Sequence, residues 1–145
     1  MTNIEFKKLL EKCVNERGFK HSKKNYYFYS ESLIIVINIQ KSNYDDGYYI
    51  NYGFFVKAIH GDNFVYPKIS ECDITGRFLN DIGGKKEFIF SSSSISSHEC
   101  VEAINGNIEK IIVPVIEQGI KKYFEMFPNA ICAAKLNFKE YLKKG

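Results

Sequence analysis

Tryptophan is missing from this chain of 145 residues, and arginine occurs only twice, at Arg17 and Arg77. The first absence leaves ten tyrosines and twelve phenylalanines to supply all the aromatic surface. Such rings suit half-buried strands, so a sheet-centred fold is expected. The second absence weighs against nucleic acid as a partner. Its binders carry a one-sided basic excess, often rich in arginine, whereas the net charge here is only +3. Lysines do gather toward both ends, but Asp and Glu intersperse them on the outer faces of predicted helices. No apolar run approaches the length of a membrane span, and Met1-Thr-Asn-Ile-Glu-Phe-Lys-Lys8 lacks the apolar core of a signal peptide. A cytoplasmic protein with no membrane contact is therefore expected.

Chemical signatures are equally scarce. Cys13, Cys72, Cys100 and Cys132 are widely spaced with no Cys-x-x-Cys pair, so they read as reduced, mostly buried thiols. His98-x-Cys100 fits neither close zinc-ligand pairs nor the three-or-four spacing of ligands on a helix. No metal and no cofactor is expected. No Gly-x-Ser-x-Gly, His-Glu-x-x-His or phosphate-cradling loop is present, and Gly83-Gly84-Lys85-Lys86 reads as a hairpin turn. No residue is assigned a catalytic role.

What is present is a long β-forming pair. Leu33 to Lys41 is answered by a run from Tyr48 to about Ile59, across the turn-like Asn43-Tyr-Asp-Asp-Gly47. Before it, Thr2 and Glu5 have capping-box spacing, and Phe6, Leu9, Leu10, Cys13 and Val14 form one helical stripe ended by Gly18. Tyr26 to Tyr29 is a strand, and Ile74 to Leu79 and Lys86 to Phe90 predict two more. Ser96 and Glu99 again cap a helix, expected to end at Asn105-Gly106. A second stripe, Ile108, Ile111, Ile112, Val115 and Ile116, contains Pro114, which should kink or split it. A last helix is expected from Asn129. The fold class is α+β: one N-terminal helix, a central antiparallel β-meander and a helical C-terminal region, with residues 1–145 as a single domain.

A turn centred on Tyr44 and Asp45 sets Gln40 opposite Tyr49, Asn38 opposite Asn51 and Val36 opposite Gly53. Those residues then share one sheet face, while Ile35, Ile37 and Ile39 join Ile50, Tyr52 and Phe54 on the core face. The candidate binding residues are Asn38, Gln40, Tyr49 and Asn51, with Arg77 as a further contributor. Amides and phenols can grip a peptide or a polar ligand; they also occur at solvated strand ends. Arg77 either clamps an anion or pairs with a nearby acid such as Asp73 or Glu71.

Gly18-Phe19-Lys20, Gln40-Lys41-Ser42, Asn51-Tyr-Gly53, Cys72-x-Ile-x-x-Arg77 and Val113-Pro114 occur in an order that resembles a bacterial family, catalogued as domain of unknown function four thousand three hundred and four. The resemblance covers nearly the whole chain and implies a fold and a bacterial origin, but no activity. The leading expectation is a non-catalytic protein-binding module, immunity-like, that blocks a toxin. The alternatives are a small-ligand binder, with a pocket between the helices and the Asn38/Gln40/Asn51 face, or an enzyme with its site on that face.

Overall fold

The computed structural model describes residues 1–61 and 63–144. Helix α1 spans Asn3–Asn15; the Thr2 hydroxyl accepts from the Glu5 amide at 3.2 Å, as the capping pattern predicts. Phe6, Leu10, Cys13 and Val14 are buried and Leu9 is half-buried. Gly18, at φ +87°, turns the chain out of the helix, and Phe19 returns to the core.

Six strands then form one antiparallel sheet: β1 (Lys20–Ser22), β2 (Asn25–Tyr29), β3 (Leu33–Lys41), β4 (Gly47–Val56), β5 (Ile74–Arg77) and β6 (Phe90–Ser91). The order is β1-β2-β3-β4-β5, with β6 also pairing β4. The expected register holds throughout the central hairpin: Gln40 opposes Tyr49, Asn38 opposes Asn51 and Val36 opposes Gly53. The strands depart from expectation in several places, and β5 ends at Arg77 where Leu79 was expected. β4 stops at Val56, where a short helix α2 (Lys57–His60) begins. A buried Asp73 carboxylate ends the strand: one oxygen accepts from the Val56 amide and the other lies 2.8 Å from His60 Nε2. The predicted strand from Lys86 shrinks to Phe90–Ser91, preceded by a single bridge between Asn80 and Glu87. It pairs with the start of β4, not with β5, because Gly83 and Gly84, both at positive φ, aim the chain back across that edge. The β1 strand was not expected; it is a three-residue, largely exposed edge.

Helix α1 and the helices after β6 pack on one face of this sheet, and a 3-10 turn at Ile69–Glu71 packs on the other. Helix α3 (Ser97–Asn107) has the predicted Ser96/Glu99 capping box but does not end at Asn105-Gly106. It runs through a π-helical turn (Ile108–Ile112) into α4 (Val113–Gln118). Burial of Ile104, Ile108, Ile111, Ile112 and Val115 outweighs the local turn preference of Asn-Gly. The wide turn also lies just before Pro114, which has no amide hydrogen and whose ring crowds the carbonyl four residues back. Gly119, at φ +88°, breaks the chain before α5 (Ile120–Met126). The last predicted helix is split: residues 128–133 form a 3-10 turn, Ala134 is extended, and α6 (Leu136–Lys144) follows. Arg17 ties α1 to α3, donating to Glu109 Oε1 at 2.6 Å and to Asn105 Oδ1 at 3.0 Å.

Leu10 has no exposed surface and sits in the main core, so Leu10→Ala should lower unfolding free energy by about 2–5 kcal/mol in denaturant titration. A loss below about 1 kcal/mol would mean that the helix-to-sheet seam is not packed as described. The four cysteines are free; Cys13, Cys72 and Cys100 are buried and Cys132 is exposed. Burial pushes the thiols of Cys72 and Cys100 up to about 12. Cys132 alone should therefore react quickly with a disulfide reagent in the native state, and the other three only as the chain unfolds. Two or more fast thiols would refute those buried seats.

Candidate functional site

The two sheet faces differ sharply. On the core face, Ile35, Ile37, Ile50, Tyr52 and Phe54 join the helices in one cluster. On the outer face the apolar half, Tyr27, Ile34, Val36, Phe55 and Cys72, is a separate cluster with Ile69 packed on it. Residues before β5 lean over this half: the Phe64 ring lies 5.0 Å from that of Phe55 and the Tyr66 ring 5.3 Å from that of Tyr27, both pairs tilted. The other half carries the candidate residues and stays partly or wholly exposed.

Strand register places Ser22, Asn25, Asn38, Asn51 and Arg77 in one row across five strands, each opposite the next. The Asn51 Nδ2 donates to Asn38 Oδ1 and to Gln40 Oε1, each at 3.0 Å. Arg77 Nε donates to Asn51 Oδ1 at 3.0 Å and its Nη2 to Gln40 Oε1 at 3.2 Å. Its guanidinium carbon lies 4.1 Å from the centre of the Tyr49 ring, in cation–π contact. All five candidates thus meet. The expectation that Arg77 pairs with Asp73 or Glu71 is overturned: Asp73 is claimed by His60 and Val56, and Glu71 caps the turn at Lys68. Among the described residues no carboxylate pairs with Arg77. Nor does any Asp or Glu occupy this face within the paired strands, where Lys20 stands opposite Tyr27. Sequence reasoning missed Ser22 and Asn25, whose place in the row depends on the turn at Lys23, a residue with φ +57°.

A cleft of about 930 Å³ opens on the opposite side of the sheet. It lies between β5 with the segment after it and the helical run α3 to α5. Among its lining residues are Tyr52, Leu79, Phe88, Ile111, Tyr123 and Phe127. The hydroxyls of Tyr52 and Tyr123 are 2.7 Å apart, and burial raises the pKa of both, so both stay neutral near pH 7. Asn107 holds the cleft wall in place. Its side chain accepts from the Leu79 amide and donates to the Leu79 carbonyl, each at 2.8 Å, pinning α3 to the segment just after β5. The small-ligand alternative required a pocket against the Asn38/Gln40/Asn51 face, but this cavity is on the other face, where the long helices pack.

Chemistry on this frame is constrained. His60 and Asp73 form a close pair beside Cys72, but the Cys72 thiol points to the Lys68 carbonyl at 3.6 Å and is held protonated by burial. His98 pairs with Glu102 on an exposed helix face. No group of three or more His, Cys, Asp or Glu side chains could hold a metal among the described residues. No helix among them is long and apolar enough to cross a membrane.

With this geometry the sequence can be placed. The chain belongs to the family described as Domain of unknown function (DUF4304). The match covers residues 10–118, from the middle of α1 to the end of α4, and includes the whole sheet and both candidate surfaces apart from Tyr123 and Phe127. No curated protein and no solved structure gives a match.

Gly76 lies opposite Tyr52, and a Cβ there would collide with the tyrosine hydroxyl and ring. Gly76→Ala should destabilise by about 1–3 kcal/mol through overpacking. Combining it with Tyr52→Leu, which removes the ring, should cost less than the sum of the two single changes, as a denaturant double-mutant cycle would read. Additive costs would show that the two residues do not share this contact.

Proposed function

We propose that this DUF4304 protein is a bacterial, cytoplasmic protein-binding module that docks a carboxylate-bearing segment of its partner on the Arg77 side of the outer sheet face. The observation that supports this is the guanidinium itself. Arg77 is oriented by two neutral amides and one tyrosine ring, without a carboxylate, on a face whose strand residues include no acid. Such a guanidinium keeps its charge available and has its direction set in advance, which suits bidentate recognition of Asp, Glu or a chain end. The surrounding amides add directional hydrogen bonds at little desolvation cost, and Tyr49 adds contact area with few rotors to freeze. A small module that binds without a catalytic set fits an immunity role, in which occupying a toxin is the whole task.

The test begins with the gene immediately upstream, whose product is co-expressed and purified with this protein. Arg77→Ala should weaken their complex by about 2 kcal/mol, and Gln40→Ala and Asn51→Ala by about 1 kcal/mol each, with the melting temperature nearly unchanged. Normal binding by all three variants would exclude this face. Loss of folding in Gln40→Ala and Asn51→Ala would make those amides structural. An upstream product that is not toxic to the host, or does not bind, would remove the immunity reading.

A further inference from the structure

The cleft on the core side shares only Arg77 with that docking face, and three features of it point to one kind of occupant. The first is its size and lining. At about 930 Å³ it is within the range of small-molecule sites, with aromatic and aliphatic walls and a buried pair of neutral phenols at its floor.

The second is Gly106. It lies within α3 and lines the cleft, yet a Cβ built on it would meet nothing within 4 Å. Glycine inside a helix costs about 1 kcal/mol relative to alanine, and no neighbour in the protein demands its small size. The room it leaves lies in the cleft, beside the π-helical turn that supplies Lys110 and Ile111 to the same wall. Tight approach of an occupant to the helix backbone is what that room permits.

The third is charge. Asp81, Glu99 and Glu102 line the cleft with Lys110 and Arg77, whose guanidinium is held toward the outer face by Asn51 and Gln40; Glu99 also accepts from the Ser96 amide, and Glu102 lies 3.0 Å from His98. Three carboxylates outnumber the two basic side chains that line the cleft, in a chain whose net charge is +3. The Asp81 carboxylate has no side-chain partner among the described residues. Phe88 and Phe127, both exposed, line the cleft as well, and aromatic rings attract cations.

We infer that the cleft binds a small cationic amphiphile, an aromatic or aliphatic body carrying one amine. The body lies against Gly106, Ile111 and the tyrosine pair, and the ammonium sits at the mouth among Asp81, Glu99 and Glu102. Discrimination follows from the mouth: an acid of the same shape meets three like charges.

Tryptamine and indole-3-acetate provide the test, titrated into the isotopically labelled full chain and followed by amide chemical shifts. Tryptamine should give saturable shifts at Gly76, Ile82, Gly106 and Ile111, and the acid should bind at least about tenfold more weakly. Gly106→Leu should abolish the tryptamine shifts while the rest of the spectrum stays native, because leucine favours the helix and fills the cleft. Asp81→Asn with Glu102→Gln, both at exposed positions, should bring amine and acid affinities together even if the leucine variant folds poorly. No saturable shift below about 1 mM, equal binding of the acid, or unchanged discrimination in the double variant would overturn the assignment. Gln40→Ala, on the outer face and not among the residues lining the cleft, should leave the tryptamine titration unaltered, so this outcome is independent of the partner experiment.

Discussion

The pairing register of β3 with β4 is the constraint from which both candidate surfaces follow. Side chains alternate along a strand, so a slip of one residue would turn Ile35, Ile37, Ile50 and Phe54 outward and bring Asn38, Gln40 and Asn51 into the core. Burying three amides without partners would cost several kcal/mol, and exposing those aliphatic side chains would cost more. The loop between the strands fixes the same answer locally. The Ser42 hydroxyl accepts from the amides of Tyr44 and Asp45, and the Ser42 amide donates to the Gly47 carbonyl, so the turn closes in one way. Pattern and turn chemistry agree, and the agreement makes the hairpin a dependable centre for the sheet.

Everything on the outer face then depends on who covers what. The residues leading into β5 lie over Tyr27, Val36 and Phe55 and stop at Cys72, whose sulfur occupies the space above Gly53. A Cβ on Gly53 would lie 2.7 Å from that sulfur, so the glycine is what lets the covering segment seat. Beyond that seat the face is open, and the row from Ser22 to Arg77 crosses it. The protein's two arginines show how differently one side chain can be used. Arg17 is neutralised by Glu109 and joins two helices. Arg77 is aligned but not neutralised.

Much of this was legible in the residues and some was not. The alternation in Leu33 to Lys41 and the apolar run after Gly47 carried register and face together, because strand period and turn length are both local properties. The three-and-four spacing of Phe6, Leu10 and Val14 likewise gave α1 its buried side. Helix ends were less legible where tertiary burial competes with local preference: Asn105-Gly106 looks like a stop, but Ile104, Ile108 and Ile112 are all core residues and hold the helix together across it. The split of the last helix at the extended Ala134 has no marker of that kind in the sequence. The cleft was illegible for a different reason. It is made by residues 28 and 71 positions apart, with Asn107 joining α3 to Leu79 and Tyr123 reaching Tyr52, and long-range pairing of that sort leaves no periodic trace.

The arrangement around Arg77 bears on affinity as well as identity. A free arginine on a strand edge would lose rotamer entropy on binding an anion and would have to shed well-ordered water. Here two hydrogen bonds and a ring contact have already restricted the side chain in the unbound protein, so that cost falls within folding. Had Asp73 or Glu71 supplied the restraint, the same ordering would have come with charge cancellation, and an incoming carboxylate would have had to displace a resident one. Amides restrain without cancelling. Their remaining polar atoms also stay in solvent, so no buried, unpaired charge arises when the partner is absent. An amide-held arginine is therefore rigid, charged and tolerable in the free state at once, a combination that a salt-bridged arginine or a mobile lysine could not provide at this edge.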